Sequence, residues 1–151
     1  MRAVIQRVKE ASVSIDAMVH ANIGRGLLVL LAVESEDDQQ DIDWMARKIL
    51  NMRIFADDQS LMNKSVLEIQ DSAIMVISQF TLFASTRKGN RPSFIKAAAP
   101  SFATRMYERF IVHIAAQSHV PIKTGIFAAD MQVQLCNDGP VTIILDSKLK
   151  E

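Results

Sequence analysis

Ala3–Val8, rich in β-branched residues, reads as a strand. Ala11–Asp16 continues it with the two-residue period of a half-buried strand, Val13 and Ile15 on one side and Ser12 and Ser14 on the other. A turn near Ala17–Met18 returns the chain through Val19–Ile23, which predicts a hairpin. Gly24 and Gly26 punctuate the chain before Leu27–Val33, an unbroken apolar run that suits a strand covered on both faces. Ser35 followed by Asp38 resembles a helix N-cap pair, and Ile42, Met45, Ala46, Ile49 and Leu50 then form one helical stripe. Arg53–Ala56 reads as a brief strand, Asp57–Ser60 as a polar loop and Ala73–Phe83 as a strand that ends in Ser78-Gln79-Phe80-Thr81. Ser85–Ser93 is a loop. Pro100 opens a second helix, a favoured first-turn position, with the stripe Ala103, Met106, Tyr107, Phe110, Ile111, Ile114 and Ala115. Met131, Val133 and Leu135 alternate with Gln132 and Gln134 ahead of Asn137-Asp138-Gly139-Pro140, which reads as a hairpin turn before the strand Val141–Leu145. Several strands with two intervening helices predict one α/β (α+β) domain over residues 1–151, with a mixed or antiparallel sheet.

Composition narrows the class. The chain has 151 residues, 49% of them apolar, with 17 basic residues balancing 17 acidic ones, so a disordered segment is excluded. The single cysteine, Cys136, excludes a disulfide scaffold and fits a reducing cytosol. No apolar run approaches the roughly 20 residues of a membrane helix, and Met1–Asp16 alternates where a signal peptide would carry an apolar block. The expectation is a soluble, cytoplasmic protein.

Charge changes the picture locally. Six acids and no base lie between Glu34 and Asp43, which reads as a solvated face. Between Ser72 and Tyr107 the order inverts: Arg87, Lys88, Arg91, Lys96 and Arg105 occur with no acid among them. Such an excess anchors phosphates whatever the total charge is.

Catalytic signals are sparse. The three histidines, His20, His113 and His119, form no metal-ligand spacing, and neither HExxH nor CxxC occurs, so neither a metal nor a cofactor is expected. Cys136 has no cationic neighbour in sequence to activate it. Thr81 is the tempting nucleophile, but a threonine hydroxyl needs a base and none lies nearby in sequence. Strand alternation would place Ser78 and Phe80 on one face and Gln79 and Thr81 on the other. From residue types alone the Gly139–Pro140 bond is expected trans, because only about 5–6% of such bonds are cis in folded proteins.

Together these segments resemble the D-aminoacyl-tRNA deacylases. The likeness runs from Ile5-Gln6-Arg7-Val8 and Ala11-Ser12-Val13 through Gly26–Leu31 and Met62-Asn63 to Ser78-Gln79-Phe80-Thr81-Leu82. It continues with Gly89-Asn90-Arg91-Pro92-Ser93-Phe94, with Phe127-Ala128-Ala129-Asp130-Met131-Gln132-Val133, and with Asn137-Asp138-Gly139-Pro140-Val141-Thr142. Departures are minor: Ala97-Ala98-Ala99, where relatives often carry a glycine, and a polar tail after Leu145.

The resemblance implies the deacylase fold, with barrel-like curvature of its sheet, and hydrolysis of the ester joining a D-amino acid to the terminal ribose of tRNA. It implies that Ser78, Gln79, Phe80 and Thr81 form the catalytic pocket. It further implies a homodimer in which a cis Gly139-Pro140 of one subunit enters the pocket of the other, with Arg7 holding that turn. The substrate's own 2′-hydroxyl then assists the attack, which accounts for the absent base, and Thr81 positions rather than attacks. Backbone N–H groups around Phe80 and Thr81 are candidates to stabilise the oxyanion. The partner is the aminoacylated tRNA 3′ end, with Arg87, Lys88, Arg91 and Lys96 on its phosphates. Two other readings stay open: a non-catalytic tRNA-binding module, and a general ester hydrolase using Thr81 or Cys136.

Overall fold

Strand β1 runs unbroken over Arg2–Ile15 and organises the rest of the molecule. The computed structural model describes residues 1–150. On one side β1 pairs antiparallel with β2 (Met18–Ile23) and β3 (Gly26–Ala32), and on the other with β8 (Gln132–Asp146). Beyond β3 the sheet continues in parallel with β6 (Ala73–Ser78) and β7 (Ile122–Thr124). The sheet is therefore mixed, and it curls nearly into a barrel. Strands β4 (Phe55–Ala56) and β5 (Met62–Lys64) make a small separate hairpin.

The two parallel joins each need a crossover, and helices α1 (Gln39–Asn51) and α2 (Pro100–Ala116) lie within them. Their stripes pack on one face of the sheet, except that Ala115, at the end of the α2 stripe, is exposed. Ile42, Met45, Ile49, Met106, Phe110 and Ile114 join Ile5, Leu27, Val29, Leu31, Ile74 and Val76 in the main core. A smaller cluster of Val8, Ala11, Val13, Ile23, Leu28, Met75 and Ile77 fills the other face. Leu27 and Leu28 are thus buried by different clusters, which is why β3 reads as continuously apolar. Gly26 has to be glycine, since a Cβ there would sit 1.8 Å from the carbonyl oxygen of Ala73.

Four local expectations give way. Helix α1 is capped by Asp38, which accepts from the Gln40 and Asp41 N–H groups while Asp41 reaches back to the Asp38 N–H; Ser35 takes no part. The brief strand over Arg53–Ala56 shrinks to Phe55–Ala56. The strand expected over Ala73–Phe83 stops at Ser78, because Phe80–Phe83 coils into a 3₁₀ turn. Asn137–Pro140 is not a hairpin turn. It lies inside β8, where Asn137 pairs with Val8 and Thr142 with Gln6, so Arg7 alone faces four residues of the opposite strand. This wide bulge adds residues to one strand without reversing the chain. The β1–β2 reversal is a true two-residue hairpin, with Asp16 and Ala17 both at positive φ as its handedness demands.

Candidate active site

The end of β6 opens onto a cavity of about 690 Å³ between the sheet and α2. Its walls come from four places in the sequence: Leu31–Val33 at the end of β3, Ser78–Phe80, Phe94 with Ala97–Pro100, and Phe127–Met131. The lining is mostly apolar. Tyr107 forms part of the wall, donating its hydroxyl to the Val76 carbonyl at 2.8 Å; burial raises its ionisation well above the ordinary range, so it stays neutral. Asp130 and Tyr107 are the titratable lining residues among those described, and the lining holds no histidine, lysine or cysteine.

The local structure at Gln79 shapes this opening. Its N–H donates to the Leu31 carbonyl at 2.8 Å, a last tie to β3 before the backbone turns away at φ −146° and ψ 76°. Leu82 N–H then bonds the Gln79 carbonyl (3.2 Å) and Ala84 N–H the Thr81 carbonyl (3.0 Å), which tightens the 3₁₀ turn. The opening N–H groups of such a turn have no partner within it. Among the described residues, neither the Phe80 nor the Thr81 N–H meets an acceptor in the protein.

The strand-based assignment of faces therefore fails. Ser78, Gln79 and Phe80 all line the cavity, whereas Thr81 does not, and the Thr81 hydroxyl accepts a hydrogen bond from the Gln79 side-chain amide. Phe80 is exposed at the rim and meets Phe94 edge to face at 5.2 Å. Phe127–Val133 was legible only as a family signature with no site role attached, yet it supplies one whole wall. Ala128 sits in the left-handed region at φ 63° within it.

The basic segment lies beside this rim. Ser85 and Ser93 exchange two backbone hydrogen bonds (2.8 and 2.9 Å), closing a small hairpin that carries Arg87, Lys88 and Arg91 exposed. Lys96, also exposed, precedes Ala97, whose stretch is bridged to Glu34 and bonded through Ala98 to Val33. None of these four cations pairs with a carboxylate among the described residues.

Gly139 and Pro140 are elsewhere. Neither lines the cavity, and nor does Arg7; the glycine and proline lie exposed in the β8 bulge. The Gly139–Pro140 peptide is cis, against the expectation from residue types. Arg7 Nε donates to the Asp138 carbonyl at 3.1 Å and lies 3.4 Å from its carboxylate, and Nη1 donates to the Ile54 carbonyl. Asn137 closes the bulge by accepting from the Val141 N–H (3.1 Å) and donating to the Thr142 hydroxyl (3.0 Å). Gly139, at φ +127°, takes a conformation that side chains resist. No group of three or more His, Cys, Asp or Glu among the described residues is arranged to hold a metal ion.

Comparison with known proteins places this architecture. The family described as D-Tyr-tRNA(Tyr) deacylase matches residues 4–146, nearly the whole chain. The chain belongs to this family. Full-length relatives named D-aminoacyl-tRNA deacylase include proteins of Parabacteroides distasonis (54% identical), Flavobacterium johnsoniae (55%) and Cytophaga hutchinsonii (56%), each alignment covering 100% of both chains. A solved structure titled c-Myc DNA Unwinding Element Binding Protein superposes with a TM-score of 0.91 at 42% identity, covering 97% of this chain and 98% of that one. A probable eukaryotic D-amino acid tRNA deacylase, 17% identical with a TM-score of 0.79 over 95% and 97% of the two chains, shares the fold. The deacylase is a hydrolase.

Proposed function

We propose that the chain hydrolyses the ester between a D-amino acid and the terminal ribose of tRNA, releasing free tRNA and D-amino acid. The observation that carries this reading is the cavity at Ser78–Phe80, whose family membership is with deacylases and whose lining offers no histidine, lysine or cysteine to act as base or nucleophile. Asp130, exposed, is the one carboxylate of the lining; the proton handling is assigned instead to the 2′-hydroxyl of the substrate's terminal ribose, the group closest to the ester by covalent structure. The unpartnered N–H groups of Phe80 and Thr81 are suited to the developing oxyanion, since donors aimed at new charge are a large catalytic factor. Thr81, engaged by Gln79, orients this turn.

Selectivity for the D form rests on Gly139 and Pro140 of a second copy. What supports a homodimer is that both residues are exposed on β8, bonded to β1 on one edge only, and absent from their own chain's cavity. Their carbonyl oxygens, entering a neighbour's cavity, would occupy the space an L side chain needs, while a D side chain points away. Discrimination of this kind excludes the wrong ligand rather than gripping the right one. Glycine has no side chain to exclude, so glycyl-tRNA is hydrolysed too. Arg87, Lys88, Arg91 and Lys96 hold tRNA phosphates beside the rim. The activity is a proofreading step of translation quality control, which belongs in the cytoplasm; no helix among the described residues is long and apolar enough to cross a membrane.

The test compares D-tyrosyl-tRNA, L-tyrosyl-tRNA, glycyl-tRNA and a free D-tyrosine ester over a range of protein concentrations. Turnover of the D and glycyl substrates, with the L form spared and activity lost on dilution to monomer, is expected. Equal turnover of D and L forms, or cleavage of the free ester without tRNA, overturns the reading. Binding without turnover leaves a tRNA-binding module.

A further inference from the structure

The 3₁₀ turn Phe80–Phe83 is a single short coil, tied at its two ends by the backbone bonds Leu82 to Gln79 and Ala84 to Thr81. Its carbonyl at Leu82 is met by a side chain from the far end of the sequence. Arg2 Nη1 donates to the Leu82 oxygen at 2.8 Å. The same guanidinium lies 4.8 Å over the ring of Phe83, the one buried residue of the turn. Its other edge is fixed in turn: Nε and Nη2 donate to one oxygen of Asp146 at 3.0 and 2.8 Å. Arg2 and Asp146 are also direct partners across β1 and β8, so the pair is anchored by the sheet itself. None of Arg2, Leu82, Phe83 and Asp146 lines the cavity.

We infer that Arg2, braced by Asp146, is a positioning residue that fixes the turn carrying Phe80 and Thr81 from behind. The inference rests on the proposed use of that turn for the ester. The guanidinium is suited to this task because its planar fork serves a carbonyl, a carboxylate and an aromatic face at once. An ammonium on a flexible stem cannot do so. Oxyanion donors act only if they are already in place when charge develops, so a loose turn slows the chemical step while the binding surface on the basic hairpin is untouched.

The experiment compares wild type, Arg2→Gln, Arg2→Lys and Asp146→Asn in two ways. Steady-state deacylation of D-tyrosyl-tRNA is measured well below each variant's melting temperature, and hydrogen exchange is measured at the amides of residues 80–84. Arg2→Gln is expected to lower kcat by about ten- to a hundredfold, the scale of a small displacement of reacting groups, with KM nearly unchanged. Exchange at Leu82 and Ala84 should quicken, while amides in α1 and the centre of the sheet stay protected. Arg2→Lys and Asp146→Asn should fall between Arg2→Gln and wild type. Unchanged kcat, or a loss matched by faster exchange throughout the molecule, overturns the inference. Absence of turnover in the wild type instead defeats the proposed function, and the exchange pattern at residues 80–84 still decides whether Arg2 holds the turn.

Discussion

The side chain of Asn137 accepts a hydrogen bond from the Val141 N–H at 3.1 Å, tying the two ends of the Asp138-Gly139-Pro140 bulge together. Its amide nitrogen also donates to Thr142, which accepts from Gln6 of β1 at 3.3 Å. The bulge is thus tied to the sheet at its base, and Arg7 holds it at Asp138.

Replacing Asn137 by Ala removes these ties and leaves the Val141 N–H without its acceptor. A loss of about 1 kcal/mol in stability is expected, the scale of one hydrogen bond. If Gly139 and Pro140 carry the discrimination, L-tyrosyl-tRNA hydrolysis should rise relative to the D form. The check is chemical denaturation alongside both deacylation rates. Unchanged discrimination in a destabilised variant would restrict Asn137 to a structural role.

Arg87, Lys88 and Arg91 are exposed on the hairpin closed by Ser85 and Ser93. Their replacement by Ala should weaken tRNA binding and make its salt dependence shallower, by about 0.7–0.9 in log–log slope for each phosphate no longer neutralised. Titrations at several salt concentrations read this directly. An unaltered slope moves the RNA to another face of the molecule.

Thr81 lies outside the cavity lining with its hydroxyl engaged by Gln79, a poor arrangement for a nucleophile. Thr81→Ala and Cys136→Ala should each keep substantial activity. A tRNA ending in 2′-deoxyadenosine, with the D-amino acid on its 3′-oxygen, should bind but react about 10²–10⁴-fold more slowly, the usual cost of losing a general catalyst. A dead Thr81→Ala that still binds tRNA, together with normal turnover of the deoxy substrate, would make Thr81 the nucleophile.

Acid stability has a traceable source at Asp41. Burial alone would raise its carboxyl, but hydrogen bonds from Lys148, Ser147 and the Asp38 backbone outweigh it and hold it at about 2, against an ordinary 3.8. A carboxyl lowered on folding adds stability that is complete above its unfolded value and is lost as pH falls through the folded one. The stability difference between wild type and Asp41→Asn should therefore shrink from pH 5 toward pH 2. Neighbouring Asp37 is raised by burial and works in the opposite direction, so the difference between the two proteins, rather than the wild-type curve alone, isolates Asp41. Denaturation midpoints at each pH supply the measurement, and a difference that stays constant over that range would show that Asp41 is not the source.

What the sequence determined by itself was whatever depends on short-range periodicity. The burial of Ile42, Met45, Ala46, Ile49 and Leu50 in α1, and of Ala103, Met106, Tyr107, Phe110 and Ile114 in α2, follows from 3.6-residue spacing. The two-sided burial of β3 follows from an unbroken apolar run, and the family was legible because its motifs keep their order along the whole chain. Tertiary structure alone decided where periodicity stops. Phe80–Phe83 has the composition of a strand, but pairing with β3 ends once the Gln79 N–H meets Leu31, and the chain beyond it coils. Asn137–Pro140 has the composition of a turn, but Val8 and Gln6 pair on either side of it, so the strand continues around a bulge. The cavity, too, joins segments from four parts of the chain, and the Arg2 brace spans residues 2, 82 and 146. Such contacts depend on distances set by the sheet, which local residue preferences do not encode.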